Sequence, residues 1–401
     1  MFDRKTVFIL GAGASWHYNY PTGEELVKEI VKKTNFIISC FERDSKRGWS
    51  NVSSVLDSVY EVAKGEKSKG NIDIINFLKN FVGRIERVDP PVIDYFLEWN
   101  EDLQEIGKLI IAWVILDREE EYHRHQKYNN VNRQRLADKA PFVKDSGKQV
   151  NYQYFKDNWY KFLLYKIITE CKDSSRLQKN NVDFITFNYD VSLETFLYQG
   201  LRDIQFLKKN AEDVNDFLQD RFTHMYGKVR ENPFVEDIPI IESMPSHVEV
   251  KSLDNILPIA YKASKNIRTI GDQKDDEDAI KRSEELLNHA EDIYILGYGF
   301  DRKNSERLGV EEFLSVHGLD EIVRNTKQAV KKNIYFTNFQ DYNSVNKRAS
   351  QIFTGNMREF LSGKDAILPK NSYSGSAARK VFYEKSVKNV YDALAEDFDF
   401  L

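Results

Sequence analysis

Lys5-Thr-Val-Phe-Ile-Leu-Gly-Ala-Gly-Ala-Ser15 decides how the rest of the chain reads. Val7 to Leu10 is a short apolar run, the pattern of a buried strand. It stops at Gly11-Ala-Gly-Ala-Ser15. Thr22-Gly-Glu-Glu-Leu-Val-Lys-Glu-Ile-Val-Lys-Lys33 then carries helical periodicity, with Leu26, Val27, Ile30 and Val31 on one face and Thr22 as N-cap. A strand ending in small residues and leading to a helix is how a doubly wound sheet receives a dinucleotide. Glycines let the backbone approach a pyrophosphate, and free amides meet its charge. The G-x-G-x-x-G pattern is not completed, because Trp16 stands where the third glycine belongs. A tight strand-to-loop turn accounts for the same residues equally well.

At 401 residues the chain has mass for a large core and for two or three domains. Hydrophobic residues make up 41% and charged residues 30%, and an aromatic content of 13% points to a packed core rather than disorder. A formal net charge of -5 gives no global basic field, so direct binding of nucleic acid is not expected. The 2 cysteines, Cys40 and Cys171, are too few for a four-cysteine zinc ribbon or a disulfide framework. No apolar run approaches the roughly 20 residues that span a bilayer. The N-terminus enters a strand directly, with no signal-peptide pattern. A reduced, cytoplasmic, soluble protein with no membrane contact is expected.

Further along, Asn71-Ile-Asp-Ile-Ile-Asn-Phe-Leu78 predicts a helix start with Asp73 as cap, and Pro90-Pro91 punctuates. Asp102 to Glu121 fits one long amphipathic helix. Residues 123 to 151 are polar and locally basic, with Arg124, Lys127, Arg133, Arg135, Lys139, Lys144 and Lys148, and predict an exposed loop or partner surface. Asn158 to Ile168 is helical again. Strand signals return at Val182-Asp-Phe-Ile-Thr-Phe187, Arg221 to Val229, Asp292-Ile-Tyr-Ile-Leu296 and Asn333-Ile-Tyr-Phe-Thr-Asn338. Strands alternating with helices predict an α/β fold, a Rossmann-like mainly parallel sheet with a large helical insertion. The expected division is a nucleotide-binding core over 1–34 and 181–365, a helical insertion or cap over 35–180, and a C-terminal helix and tail over 366–401. That last helix is expected at about Ala377 to Ala395. Glu396-Asp-Phe-Asp-Phe-Leu401 reads as a frayed terminus in preference to a docking peptide.

Four strand ends carry the chemistry: Gly11 to Ser15, Thr186-Phe-Asn-Tyr-Asp190, His224-Met-Tyr-Gly227 and Gly297-Tyr-Gly-Phe-Asp301. Ligands of open α/β sheets bind outside the carboxyl ends of the strands, so these stretches are expected to converge on one crevice. With GAGAS followed by Tyr20-Pro-Thr-Gly23, Phe187-Asn-Tyr-Asp190, His224 with Gly227, and Leu296-Gly-Tyr-Gly-Phe300 with Asn304, the chain resembles the sirtuin-like NAD hydrolases of bacterial anti-phage defence. The resemblance covers roughly 1 to 35 and 180 to 340. It implies a catalytic pair, Asn188 and His224. It also implies nucleotide contacts by Gly11, Ala12, Gly13, Ala14, Ser15, Thr22, Asp190, Gly297, Tyr298, Gly299 and Asn304, with NAD as substrate and no metal. An amide such as Asn188 hydrogen-bonds ribose hydroxyls or a water without carrying charge. A histidine near neutral pKa takes up a proton.

Each residue also has a plainer role: Asn188 shaping a turn, Asp190 capping the following helix, Gly297 and Gly299 forming a packing turn, Tyr298 in the core. His17 is as readily a surface residue as a phosphate contact, and metal binding at His123 and His125 is not expected. Deacylating sirtuins carry a cysteine-based zinc module that this chain cannot build, and Gly-Tyr-Gly stands where Gly-Thr-Ser is usual. Both favour hydrolysis to nicotinamide and ADP-ribose, with NAD depletion, over protein deacylation. A non-catalytic nucleotide-binding or scaffold subunit is the other alternative. The resemblance further implies a homo-oligomer and a HerA-type ATPase partner, with a short Argonaute as the alternative.

Overall fold

Five apolar stretches that run in at one edge and end in glycine or polar residues set up the sheet, and a sixth strand closes its far side. The computed structural model describes residues 1–46, 53–132, 144–145, 148–149, 157–204, 207, 211–230, 250–270, 272, 277–354, 379–398 and 400. The strands are β1 (Thr6–Leu10), β2 (Val182–Thr186), β3 (Phe222–His224), β4 (Asp292–Leu296), β5 (Val330–Thr337) and β6 (Arg379–Ser386). All are parallel, in the order β3-β2-β1-β4-β5-β6. The fold is therefore α/β with a six-stranded parallel sheet flanked by helices. The chain winds outward from β1 through β2 to β3, crosses back, and winds outward again from β4. The order reverses between β1 and β4, where doubly wound folds hold their ligands.

Register makes the strand ends level. Leu10 pairs with Thr186 on one side and Leu296 on the other, and Thr186 pairs with His224. The four polar stretches expected to converge thus leave the sheet along one edge. Side chains alternate between its faces. Val7, Ile9, Ile185, Ile293, Ile295, Ile334 and Phe336 pack on one side, beneath α10 (Glu277–His289), α11 (Arg302–Arg307), α12 (Val310–Leu314), α13 (Val316–Thr326) and α14 (Asn343–Thr354). On the other face Phe222, Phe184, Phe8, Tyr294 and Tyr335 form a ladder of stacked rings across five strands, with centroids 4.6, 5.4, 5.0 and 4.7 Å apart.

The ladder face belongs to a larger core shared with the helices that precede β2. These are α1 (Gly23–Lys46), α2 (Ser54–Lys64), α3 (Asn71–Val88), α4 (Ile93–Glu98), α5 (Gln104–Asn132) and α6 (Tyr160–Ile168). Helix α1 begins at Thr22 as expected, but the capping runs from Glu25, which takes the Thr22 amide and hydroxyl, each at 2.8 Å. Asp73 is not the cap of α3. Gly70 holds that position, and the Asp73 carboxylate reaches back to the Lys69 amide at 2.7 Å. Helix α5 departs from the amphipathic expectation, because every residue from Leu109 to Leu116 is buried. Its backbone continues to Asn132 where a loop was expected, and a two-residue antiparallel pairing joins Lys144–Asp145 to Lys148–Gln149. The basic side chains of 123–151, with His123 and His125, lie outside the described residues.

The C-terminal expectation is corrected. Arg379–Ser386 is not helical but the edge strand β6, and only the end of the expected helix is helical, at Val390–Asp392 and Ala393–Asp397; residues 377–378 lie outside the described residues. The tail is not frayed. Phe398 packs against Tyr335 and Tyr294, and Phe400 caps the ladder against Phe2, Phe8 and Tyr294. A buried lysine, Lys332 of β5, donates to the carbonyls of Leu287, Asn288 and Ala290 and so closes the C-terminus of α10; burial pulls its ammonium down to about 8. No helix among the described residues is long and apolar enough to cross a membrane. Phe400→Ala is expected to lower stability by about 3–5 kcal/mol. Phe339→Ala, at a ring 47% exposed, should change it by less than about 0.5 kcal/mol. Denaturant unfolding of both variants checks the contrast.

Candidate functional site

Gly11, Gly13 and Gly297 are small because two backbones touch. The Gly11 amide donates to Leu296 O at 3.0 Å, and the Gly13 amide donates to Gly297 O at 3.1 Å. A Cβ on Gly11 would stand 2.5 Å from Gly297 O, and one on Gly13 2.9 Å from Gly297 Cα. Gly297 has φ +60°, and its Cβ would overlap Ala14 and Gly13. The glycines therefore join the turn after β1 to the turn after β4. The amides of Gly11, Gly13 and Ala14 are spent on backbone carbonyls rather than left open to an anion.

Outside this joint lies a cleft of about 720 Å³, within the range of small-molecule sites. Gly11, Ala12, Gly13 and Ser15 line it from the β1 end, and Asn188 and Asp190 from the β2 end. Gly297, Tyr298, Gly299 and Asn304 line it from the β4 side, and Thr22 from the start of α1. Ala14 is buried beneath, where its carbonyl accepts Trp159 Nε1–H at 2.8 Å. The Tyr298 ring is core, stacked on Phe187 at 5.1 Å with its hydroxyl on Ser305. His17 lines the cleft and is 3% exposed, so it is no surface residue; burial lowers its pKa against the pull of Asp157 and Asp392.

Asn188 is fixed at its nitrogen, and its oxygen is buried without a partner. Nδ2 donates to Gly11 O at 3.1 Å and Ser15 Oγ at 2.9 Å, while Oδ1 is buried with no hydrogen-bond partner. An unmet buried acceptor is costly, and this one belongs to a residue that lines the cleft. Asp190 is not the cap of α7 (Ser192–Arg202): Val191 holds that position, and the Asp190 carboxylate takes the amide and hydroxyl of Ser192, the first residue of the helix. Burial raises its pKa, with Ser192 and Ser15 opposing. Ser192 Oγ also meets Tyr160 Oη at 2.7 Å, and Tyr160 stacks on Tyr18 at 3.8 Å, which ties α6 to the cleft.

His224 does not line the cleft. Its ring stands behind Asn188, with Nδ1 3.1 Å from Asn188 O and Nε2 3.2 Å from both carboxylate oxygens of Glu194. Glu194 also receives Lys228 Nζ at 3.3 Å. Burial pushes its carboxyl up, yet His224 and Lys228 hold it below the ordinary value. Gly227 has a backbone reason of its own: φ is +68° and a Cβ would overlap Asn266 O. Farther back, Glu119 and Arg230 pair at 2.8 Å, and burial raises Glu119 to about 7 despite Arg230.

Sequence reasoning missed the groups on the far side. Helix α4 brings Asp94 and Tyr95 to the cleft region. Tyr189 Oη donates to Asp94 Oδ1 at 2.7 Å, and Tyr95 Oη donates to Asp301 Oδ2 at 2.6 Å. Burial raises the pKa of Asp94 against the Tyr189 hydrogen bond. Tyr226 donates to Asn304 Oδ1. The signal available for Asp94 was its place just beyond Pro90-Pro91, and that pair marks only a helix start. No protein-family model, curated protein or solved structure matches the chain.

The carboxyl of Glu194 titrates below 4.5 in the fold, so the unfolded chain takes up that proton first as pH falls. Its pairing then contributes stability that is fully present above pH 4.5 and is lost as pH drops through the lower folded value. Glu194→Gln should be less stable than wild type at neutral pH by about 1–3 kcal/mol, and the gap should close in acid. Denaturant unfolding across that range tests this; a constant gap would deny the pairing any contribution.

Proposed function

We propose that the chain cleaves NAD at the nicotinamide–ribose bond, releasing nicotinamide and ADP-ribose. The observation that supports this best is the buried, unpartnered Oδ1 of Asn188, a residue that lines the cleft at the reversal of strand order. In this reaction the C1′–N bond breaks and its electron pair leaves with neutral nicotinamide. Oxocarbenium character builds on the ribose, and water adds to C1′ and gives up a proton. Asn188 Oδ1 accepts a hydrogen bond from the attacking water or a ribose hydroxyl, and Gly11 O and Ser15 Oγ fix the amide's orientation. His224 acts in this geometry as a positioning residue, holding the Asn188 backbone from behind while Glu194 holds its ring. NAD depletion in anti-phage defence, assembly into a homo-oligomer and pairing with a HerA-type ATPase belong to the same proposal and rest on the motif resemblance alone.

A second reading, nucleotide binding without turnover, is favoured by the engagement of both His224 ring nitrogens. The two separate in one assay. Purified protein is incubated with NAD, and nicotinamide and ADP-ribose are followed with time, alone and with the candidate ATPase. Wild type is expected to release both products. Asn188→Ala should cut kcat by about 100-fold or more with unchanged thermal unfolding. His224→Gln should cost less in kcat and lower the unfolding temperature. Binding of NAD with no product in any condition would leave the second reading standing.

A further inference from the structure

The side chains of three carboxylates along the cleft are buried or half-buried, and two are fully occupied. Asp190 is taken by Ser192 and Ser15. Asp301 takes the Asn304 amide at 3.1 Å on one oxygen and Tyr95 Oη on the other. Asp94 has Oδ1 held by Tyr189 Oη; its own backbone amide also favours the carboxylate, and no second side chain among the described residues donates to it. Tyr189 is the neighbour of Asn188 in the chain, so the bond that fixes Asp94 comes from the same turn that carries the unpartnered amide oxygen. The charge of Arg307, which is not among the described residues lining the cleft, also acts on Asp94. Lys388, the one lysine or arginine among the cleft's described lining residues, is held by Glu396 at 2.8 Å and Asp397 at 2.6 Å.

We propose that Asp94 reads the ribose of the bound nucleotide: Oδ2 accepts a hydrogen bond from a free ribose hydroxyl and repels a phosphate ester placed there, so the cleft takes NAD and rejects NADP. The inference rests on the NAD reading of the cleft. An ionised carboxylate only accepts hydrogen bonds, which suits a hydroxyl and opposes a phosphate. Doubly wound folds that take NAD place an acid on the ribose 2′-hydroxyl, and those that take NADP place an arginine nearby. Here the acid at the end of β2, Asp190, is spent on its own helix. The free carboxylate comes instead from α4 in the helical layer.

Calorimetric titration of the full chain with NAD and with NADP, on wild type and Asp94→Asn, tests this, with thermal unfolding as the check on folding. Wild type should bind NAD about tenfold or more tighter than NADP, and Asp94→Asn should narrow that ratio by about tenfold. Tyr189→Phe keeps the charge and releases its orientation, so it should narrow the ratio less. Asp94→Ser supplies the same ratio if Asp94→Asn does not fold. Equal affinities in wild type, or an unchanged ratio in the Asp94 variants, would overturn the role of Asp94 and leave the NAD site in place. Binding of neither nucleotide by wild type would overturn the NAD reading, and this inference with it.

Discussion

Two backbone turns in direct contact, one after β1 and one after β4, constrain everything around the cleft. The amides of Gly11 and Gly13 are committed to the carbonyls of Leu296 and Gly297, and no Cβ fits in the joint. The contact closes the place where the sheet reverses its order, so a ligand meets a floor of backbone there rather than a gap between strands. It also moves recognition outward. With those amides spent, the groups that can tell one ligand from another are side chains reaching in from elsewhere: Asn188 from β2, Asn304 from the β4 side, and Asp94 from α4. A glycine-rich opening thus serves chain packing first, and its likeness to a phosphate cradle lies in the residue types more than in the available donors.

The two faces of the sheet explain why the helical layer is part of the site. One face presents aliphatic side chains and Phe336 and is covered by the helices that follow β3, β4 and β5. The other carries the ring ladder, a broad aromatic surface that needs a thick cover. Helices α1 to α6 supply that cover and continue past the strand ends, which is how α4 comes to line the cleft. Leu253, Ile256 and Leu257 of α9 (Val250–Ser264) join the same core, so the layer is not built from one inserted segment alone. Trp159 and Tyr160 then tie the layer to Ala14 and Ser192.

The strands were legible where burial on both faces forces apolar runs, as in Val7 to Leu10, Val182 to Phe187 and Asp292 to Leu296. Their register could be guessed because each run ends in glycine or a polar residue at the same relative point. The edge strand β6 was not legible. Arg379-Lys-Val-Phe-Tyr-Glu-Lys-Ser386 carries the charges that edge strands use to avoid mispairing, and such a segment reads equally well as a helix. Phe398 and Phe400 were misread because their burial depends on a ladder assembled from five distant strands. At the site, Asn188 and the glycines were visible as local motifs. Asp94 and Glu194 were not, since each gains its meaning only from partners about 95 and 30 residues away.

The tier of charge behind Asn188 shows how pairing decides ionisation at similar depth. Glu194 and Glu119 are both 3% exposed, and burial alone would raise both. Glu194 meets the His224 ring and the Lys228 ammonium together, and its carboxyl stays below its ordinary value. Glu119 meets Arg230 while Asp190 and Glu194 add like charge, and its carboxyl rises to about 7. Burying such groups costs more than an apolar filling of the same volume would. What the polar tier adds is direction. An apolar side chain at position 224 would pack as well but would leave the Asn188 carbonyl without the His224 nitrogen now 3.1 Å away. The backbone of Asn188 is therefore held in part from behind, by a histidine and a glutamate that do not line the cleft, while Gly11 O and Ser15 Oγ hold its side-chain nitrogen.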